Sequence, residues 1–414
     1  MQDENPAGDA LVAQHAVRLW SPDRTDLRRI LASILLDDMA TLRRKSLPPD
    51  MADGWDESTQ LDEDGLGLDS LALLGVCSRV SQYFHLHEVG IEDYLFVRRT
   101  FGEWIEIVAT SIGIRSERLT FQTSGGSGAP KPCTHEIAAL LEEVDDHARR
   151  FSGCRRVLAF TPCHHIYGFL FSVALPRLLE CPVADARAWS PGTLRQALQP
   201  GDLLIATPFL WRLLLTALGS FPPGVTGVSS TAPLPADLRA DLETAGLDRL
   251  VEIYGSSETA GVGVRDKGES HFRLLPFWRL EPVTGELARM IGGAEIRLTP
   301  QDHLVFADGA RFLPQGRRDG AVQIGGVNVF PAHVAEVVRR HPAVLDCAIR
   351  RDGEASRQRL KAFVALRPEG IGEEAVAKDL EQWMRERLSA SERPVSVTYG
   401  SALPHDGMGK QIDW

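Results

Sequence analysis

A segment rich in glycine and hydroxyl residues, LTFQTSGGSGAPKPCTHE (119–136), has the residue types that bind a polyphosphate. A short apolar strand leads into the loop, and Lys131 follows the glycines before a predicted helix. Glycines let backbone N–H groups face an anion, hydroxyls add donors, and lysine supplies a mobile positive charge. The GK[ST] ending of a Walker loop is missing. Taken alone, such a segment is more often a flexible surface loop.

Further groups of chemically active residues occur at glycine-flanked turns. VEIYGSSETAG (251–261) predicts a strand that ends in hydroxyl residues and Glu258, and open α/β sheets bind ligands at such strand ends. Glu258 is a candidate Mg²⁺ ligand, because Mg²⁺ takes one or two carboxylates together with substrate phosphates. QGRRDGAVQIGGVNVFP (315–331) and LPHDGMGK (403–410) place basic side chains in turns. Each of these segments alone is more typical of a surface turn or a frayed terminus.

Together and in this order, the segments resemble the signature motifs of adenylate-forming enzymes, the superfamily of acyl-CoA synthetases, non-ribosomal-peptide adenylation domains and luciferases. TSGGSGAPK resembles the phosphate loop, YGSSETAG the adenine and magnesium motif, GRRD the hinge, and LPHDGMGK the catalytic-lysine motif. TPCHHIYG (161–168) is similar to the acyl-pocket segment, and SSTAPLP (229–235) to the adenine-side turn. The resemblance covers residues 119–414 and implies an enzyme that uses ATP and Mg²⁺.

The resemblance also implies a role for individual residues. Lys410, Lys131, Glu258 and His165 are the implied catalytic residues, and Glu258 is also the implied Mg²⁺ ligand. The implied nucleotide-binding residues are Thr123, Ser124, Gly125, Ser127, Gly128, Ser230, Thr231, Ala232, Tyr254, Gly255, Ser256, Thr259, Asp308 and Arg317. Asp319 is implied as the hinge about which the C-terminal domain turns between adenylation and thioester formation.

The spacing of apolar residues indicates the elements that must position these groups. Residues 1–22 are predicted to be a leader and 23–112 an all-α helical bundle, with an amphipathic helix at 26–42 and another at Ser70–Phe84. From residue 113 to 316 strands and helices alternate, which predicts an α/β large domain that is short for the superfamily. The predicted strands are 119–123, 156–160, 203–207 and 250–254, and the predicted helices 136–150, 166–179, 208–218 and 236–244. Residues 317–414 are predicted to form a small, mobile α+β C-terminal domain.

The N-terminal bundle resembles an acyl or peptidyl carrier protein. Its sequence GLDSL resembles the carrier attachment motif, with Ser70 as the expected site of 4'-phosphopantetheine, and residues 1–110 hold 20 acidic against 10 basic residues. A phosphodiester at a helix N-terminus is electrostatically favourable. The alternative is that Asp69 and Ser70 only cap a helix, which would leave a structural or docking module.

Composition excludes several other classes of protein. The chain has 414 residues and a net charge of −11, so no basic face for nucleic acid is expected. Its six cysteines show no CxxC spacing, which indicates neither a zinc site nor a disulfide framework. An apolar run of about 18 residues is missing, so membrane insertion is not expected. The polar N-terminus is unlike a signal peptide, and a cytoplasmic location is expected.

The sequence therefore predicts a ligase that activates a small carboxylic acid with ATP. The acid is predicted to be aromatic, for example a hydroxybenzoate, because HHIYG resembles the corresponding segment of aryl-acid ligases. The acyl group is predicted to pass to phosphopantetheine on an acyl carrier protein, in cis or in trans. Free coenzyme A as acceptor and a non-catalytic carrier-docking scaffold remain the alternatives. A GxSxG elbow is missing, which argues against a hydrolase.

Overall fold

The computed structural model describes residues 20, 22–43, 45–123, 131–281, 284–318, 320–353, 358–367, 373–404 and 414. The chain divides into two compact units. The first contains the residues up to Thr123, Pro132–Pro300 and Val305–Leu313, and the second contains Lys131, Gln301–Leu304 and Pro314–Trp414. The predicted domain boundaries at residues 113 and 317 stay predictions.

The helices and strands follow the chain in an order that begins with helices and then mixes both. The α-helices are α1 (Arg24–Leu42), α2 (Ser70–Phe84), α3 (Tyr94–Val97), α4 (Phe101–Ile114), α5 (Ile137–Arg150), α6 (Ile166–Phe169), α7 (Leu175–Leu178), α8 (Pro191–Ala197), α9 (Pro208–Leu218), α10 (Ala236–Thr244), α11 (Pro331–Arg339) and α12 (Glu373–Arg387). The strands are β1 (Arg118–Gln122), β2 (Pro132–Glu136), β3 (Arg156–Ala159), β4 (Val183–Asp185), β5 (Asp202–Ala206), β6 (Thr226–Ser229), β7 (Arg249–Ser256), β8 (Ala260–Arg265), β9 (Phe272–Leu274), β10 (Arg279–Leu280), β11 (Leu287–Ile291), β12 (Ala294–Leu298), β13 (Asp302–Phe306), β14 (Arg311–Arg317), β15 (Val322–Ile324), β16 (Val327–Val329), β17 (Val344–Asp352), β18 (Arg359–Leu366) and β19 (Ser396–Gly400). None of the described helices is long and apolar enough to cross a bilayer.

A nine-stranded sheet with the order β13-β14-β9-β8-β7-β6-β5-β3-β4 organises the first unit. Strands β4, β3, β5, β6 and β7 are parallel, with Val157 opposite Leu203, Leu204 opposite Gly227, and Val228 opposite Val251. All five residues of β5 are buried, as expected for a parallel strand that is covered on both faces. The sheet turns antiparallel from β7 to β8 and β9.

Helices pack against this sheet through large apolar side chains. Trp211 of α9 is fully buried within a cluster that includes Leu204, Leu238 and Leu250. Its indole N–H donates to the carbonyl of Val228, at 3.1 Å. An α/β large domain followed by a small C-terminal domain is thereby confirmed.

A separate carrier-like bundle is not confirmed for the N-terminal helices. Helix α1 begins at Arg24 and packs on the α/β body, where Arg29 donates to the carbonyl of Ser172 at 2.8 Å and Arg177 donates to Asp26 at 2.6 Å. Helix α2 also packs outside the helical segment, because the aromatic ring of Tyr83 meets that of Phe121 of β1 edge to face at 5.4 Å. A carrier on a linker would leave this face exposed. These helices instead form a layer of the first unit, called here the helical layer (Arg24–Ile114).

The second unit is an α+β arrangement with its own core. Strands β17, β18 and β19 form a sheet, antiparallel between the first two and parallel between the last two. Val338 of α11, Leu380 of α12 and Val364 of β18 belong to one buried cluster. The small α+β C-terminal domain predicted from the sequence is thus confirmed in its fold.

Asp69 caps helix α2, and we predict that this is its main contribution. Its carboxylate accepts the backbone N–H of Ala72 at 2.8 Å, while Ser70 is exposed at the first helical position. Asp69→Ala should lower the free energy of unfolding by about 1 kcal/mol, the usual value of an N-cap. Ser70→Ala is the matched control and should change it by less than about 0.5 kcal/mol. Denaturant titration followed by tryptophan fluorescence measures both, and equal effects would contradict the capping role.

Candidate active site

The carboxyl ends of β3, β5, β6 and β7 lie along one edge of the sheet, where open α/β sheets bind ligands. Two hydroxyl groups hold these ends together. Tyr167 donates towards the carbonyl oxygens of Val228 at 2.9 Å and Ala206 at 3.2 Å. Ser230 donates to the carbonyl of Ile253 at 2.8 Å. The end of β7 and the segments after β6 and β7, which together carry seven of the fourteen predicted nucleotide-binding residues, are therefore held side by side.

The turn between β7 and β8 presents Glu258 at its tip. Ser256 accepts the N–H groups of Glu258 and Thr259, both at 3.2 Å, and the hydroxyl of Thr259 accepts the N–H of Ser256 at 3.1 Å. Thr259 is buried, whereas Glu258 is exposed. The turn thus fixes the backbone and leaves a hard carboxylate oxygen accessible, which fits a Mg²⁺ that also binds substrate phosphates.

Two glycines in this hairpin are required by close approach. A Cβ at Gly255 would lie 2.1 Å from the carbonyl oxygen of Ala260, and one at Gly261 would lie 2.2 Å from Oε1 of Glu143. Glu143 is fully buried, accepts the N–H of Gly261 at 2.9 Å, and lies 3.3 Å from Nε2 of His147. This buried acid was not a site candidate in the sequence, because its position on the amphipathic helix α5 looks like any other polar position.

His135, which the sequence analysis also missed, ties β2 to the same turn. Its Nε2 donates to the carbonyl of Ser257 at 2.6 Å. Burial lowers the pKa of His135, although the Ser257 carbonyl acts in the opposite direction, so the ring is neutral at neutral pH. Because residues 123–131 connect the antiparallel strands β1 and β2, this bond links the strand after the predicted phosphate loop to the Glu258 turn.

The candidates for adenine binding include an aromatic ring, that of Tyr254, and a residue with an unusual backbone conformation, Thr231. Tyr254 is half-buried and packs edge to face on Phe312 at 5.3 Å. Thr231 is exposed with φ at +77°, a backbone conformation that is unusual for a β-branched residue and is concentrated at functional sites. Ser230 is buried and Ala232 half-buried beside it.

The acyl-pocket segment is held by the helical layer. His165 is the N-cap of α6, and its ring lies 4.2 Å from that of His164. Burial, together with the neighbouring His164, lowers the pKa of His165 to about 3, so the His165 ring is neutral near pH 7. Nδ1 of the buried His164 lies 2.7 Å from the hydroxyl of Ser33, and its Nε2 lies 3.5 Å from Asp37, both on α1.

Asp37 connects this histidine to helix α2. It accepts a hydrogen bond of 2.8 Å from Arg79, whose guanidinium also contacts Asp38. Desolvation raises the pKa of Asp37, but the hydrogen bonds and charges of His164 and Arg79 outweigh it and hold that pKa well below its usual range. Neither Ser33 nor Asp37 was a site candidate in the sequence, since a contact between residues so distant along the chain has no local signal.

The carboxylate of Asp308 is hydrogen-bonded to other residues of the hairpin between β13 and β14. Its carboxylate accepts the N–H groups of Ala310 and Arg311, and the guanidinium of Arg311 lies 2.7 Å away. These hydrogen bonds lower the pKa of Asp308 to about 2. The assignment of Asp308 to nucleotide binding stays a prediction.

The remaining predicted residues are distributed between the two units. Thr123 is half-buried at the end of β1, Lys131 is exposed directly before β2, and Arg317 is half-buried at the end of β14. Several predicted residues lie outside the described residues: Ser124, Gly125, Ser127, Gly128, Asp319 and Lys410.

A mainly parallel α/β sheet with candidate nucleotide-binding residues at its carboxyl edge, followed by a separate α+β unit, is the arrangement expected of an adenylate-forming enzyme. The chain belongs to the AMP-binding enzyme family: the family model matches residues 120–332, and the model of the AMP-binding enzyme C-terminal domain matches residues 333–410.

Curated relatives cover nearly the whole chain. It is 40% identical over 385 residues to a 4-coumarate–CoA ligase of Halorhodospira halophila, covering 93% of this chain and 98% of the relative. It is 38% identical to a 4-coumarate–CoA ligase of Rhodobacter capsulatus, covering 94% and 100%. The helical layer therefore lies largely within a shared length, and the chain is an AMP-forming acid–thiol ligase.

Solved structures confirm the fold. An o-succinylbenzoate CoA synthetase from Bacillus subtilis matches with a TM-score of 0.59 at 15% identity, covering 92% of this chain and 90% of that one. An amide bond synthetase from Marinactinospora thermotolerans matches with a TM-score of 0.55 at 17% identity, covering 70% and 67%.

The bond between Ser33 and His164 predicts a selective effect on the acid substrate. Ser33→Ala leaves a buried ring nitrogen without its partner, which costs about 1–3 kcal/mol. We expect kcat/KM for the acid to fall about tenfold or more, with KM for ATP unchanged. Ser111→Ala is the matched control, because Ser111 is a buried serine of the same layer whose hydroxyl has no hydrogen-bond partner among the described residues. A loss shared by both variants would indicate a general packing effect.

Proposed function

We propose that the chain joins an aromatic carboxylic acid of the 4-coumarate class to free coenzyme A. The observation that supports this most directly is the 40% identity to a named 4-coumarate–CoA ligase over 98% of that protein's length. In the first half-reaction, a carboxylate oxygen attacks the α-phosphorus of ATP and pyrophosphate leaves. In the second, the coenzyme A sulfur attacks the acyl carbon and AMP leaves.

The proposal changes two expectations drawn from the sequence. Free coenzyme A, which was the alternative acceptor, replaces the carrier protein, because the relatives named as CoA ligases match over 86–94% of this chain. Phosphopantetheine on Ser70 has no support from them. The aromatic character of the acid is kept, but a hydroxycinnamate replaces the hydroxybenzoate.

The charges of the reaction explain why these residues are needed. A carboxylate and a triphosphate repel each other, so Lys131 and Lys410 are proposed to neutralise the approach and the departing pyrophosphate. Glu258 is proposed to hold the Mg²⁺, which supplies charge neutralisation and a template for the phosphates. Thr123, with Ser124, Gly125, Ser127 and Gly128, is proposed to surround the phosphates. Neutral His165 adds no positive charge to the acyl segment.

The nucleotide side of the site is assigned in the same way. Tyr254 is proposed to lie against the adenine with its edge supported by Phe312. Arg317 is proposed to assist nucleotide binding, and Asp319 to be the pivot of the second unit. Withdrawal of Lys410 by that rotation would open the way for the thiol, a conformational step of the lid type.

A panel of acids and acceptors tests the proposed reaction. With ATP, Mg²⁺ and coenzyme A, 4-coumarate should give a thioester at a kcat/KM at least about tenfold above that for 4-hydroxybenzoate or acetate, since differential binding of the whole ring and side chain is involved. Thioester absorbance and mass measure the product. In a parallel assay, an acyl carrier protein that carries phosphopantetheine with a free thiol replaces coenzyme A. Faster transfer to the carrier than to coenzyme A would contradict the proposal, and Ser70→Ala should leave all rates unchanged.

Lys410 should act in the first half-reaction only. Lys410→Ala should reduce acid-dependent pyrophosphate exchange by two to three decades, the effect of about 3–4 kcal/mol that one preorganised charge contributes. Thioester formation from supplied acyl-adenylate should remain largely intact. Lys378→Ala, which removes an exposed lysine of α12, is the control. Equal losses in both half-reactions would contradict the assigned role, but not the family.

A further inference from the structure

Two cysteines far apart along the chain meet at the amino ends of neighbouring strands. The Sγ atoms of Cys154 and Cys181 lie 3.8 Å apart, and both side chains are partly exposed. Cys154 lies two residues before β3, and Cys181 lies two residues before β4. Because Val157 is opposite Val183 in this parallel pair, the two cysteines sit at the same end of adjacent strands.

The positions of the two sulfur atoms suit a disulfide. The Sγ atoms lie 3.8 Å apart and must approach by less than about 2 Å to reach the S–S bond length of about 2.05 Å. The surrounding backbone is held: Arg155 donates its N–H to Gly201 at 2.8 Å, and Val157 donates to Pro182 at 2.9 Å. We therefore expect the two side chains to move together while this backbone stays in place.

We propose that Cys154 and Cys181 form a dithiol site that a small disulfide, such as oxidised glutathione, converts into an intramolecular disulfide. A thiolate of the pair attacks one glutathione sulfur, the glutathione S–S bond breaks, and one glutathione leaves. The second protein thiolate attacks the mixed disulfide and expels the other glutathione. Two protein thiols are oxidised, one glutathione disulfide is reduced, and the two thiol protons pass to the two glutathiones. The inference is independent of the proposed function.

The two thiols are unequal, which sets the order of attack. The contact between the two sulfurs lowers the pKa of Cys181, and the same contact together with burial raises the pKa of Cys154. Since the thiolate is the nucleophile, Cys181 attacks first and Cys154 resolves the mixed disulfide. By contrast, burial raises the pKa of Cys77 to about 11 and of Cys347 to about 12, so these thiols are poor competitors.

The disulfide would close a loop that contains the predicted acyl-pocket segment. Residues 155–180 contain β3, the acyl-pocket segment with His165, and the π-helix Leu170–Ala174. The cysteines lie at the amino end of β3, whereas His165 follows its carboxyl end. Closing this loop restricts the unfolded chain without entering the candidate active site. The oxidised protein should therefore have a higher melting temperature than the reduced one.

Peptide mapping of the full-length protein tests the proposal. The chain is incubated with oxidised glutathione, alkylated and digested with trypsin. We expect FSGCR (151–155) to be recovered linked to LLECPVADAR (178–187), two hydrogens lighter than the separate peptides, together with a rise in melting temperature. Cys133→Ser, which removes another partly buried thiol, is the matched control and should give the same linked peptide and the same rise.

Variants that lack one of the two cysteines should not form the disulfide. In Cys154→Ser and Cys181→Ser the linked peptide and the rise in melting temperature should both be lost, and in Cys154→Ser a glutathione should stay on Cys181. If no linked peptide forms in the wild-type chain under excess oxidised glutathione, the proposal is wrong. A linked peptide that joins either cysteine to Cys133 instead would also overturn it. The wild-type map decides even where a variant fails to fold.

Discussion

The parallel register of β5, β6 and β7 is the constraint on which the candidate site depends. Ala206, Ser229 and Glu252 lie side by side in this register, so the segments that follow these strands leave the sheet at one edge. A slip of one residue would turn every side chain of a strand to the opposite face. It would also remove the carbonyl partners of Tyr167 and Ser230. Hydroxyl groups near the nucleotide segments thus have structural partners before any ligand binds.

The carrier-like interpretation of the N-terminal helices is not confirmed, and the reason is physical. A helix that begins with Asp-Ser and has one apolar face looks alike in a carrier and in a layer that covers a sheet, because the pattern shows which face is buried but not what covers it. Asp69 caps the helix, and Tyr83 on the buried face meets Phe121. The acidic composition of the segment was part of its resemblance to a carrier protein. Part of that acidity is used internally, since Asp26 pairs with Arg177 and Asp37 with Arg79.

Local sequence patterns predicted many of the helices, strands and motifs. The features that were not predicted depend on contacts between residues far apart along the chain. The predicted strand at 156–160 and helix at 136–150 agree with β3 and α5 to within a residue, because continuous apolar runs and helical periodicity are local. The strands of 260–317 were not predicted, since β12 and β13 are exposed or half-buried throughout and lack the buried apolar residues of the predicted strands. The contacts of Glu143 with Gly261, and of Cys154 with Cys181, join residues that sequence spacing cannot relate.

The helical layer supports the segment that was predicted from the sequence to be the acyl pocket. A histidine pair after β3 needs buried partners, because an unpaired imidazole nitrogen in an apolar environment is costly. Ser33 of α1 supplies a hydrogen-bond partner, 2.7 Å from Nδ1 of His164. The half-buried Asp37 of α1 places its carboxylate 3.5 Å from Nε2, and Arg79 of α2 holds Asp37 in turn. The layer that resembles a carrier domain in sequence is thus part of the framework of the acyl-pocket segment. A change in α1 is therefore a change in the supports of that segment, although α1 lies more than a hundred residues before it.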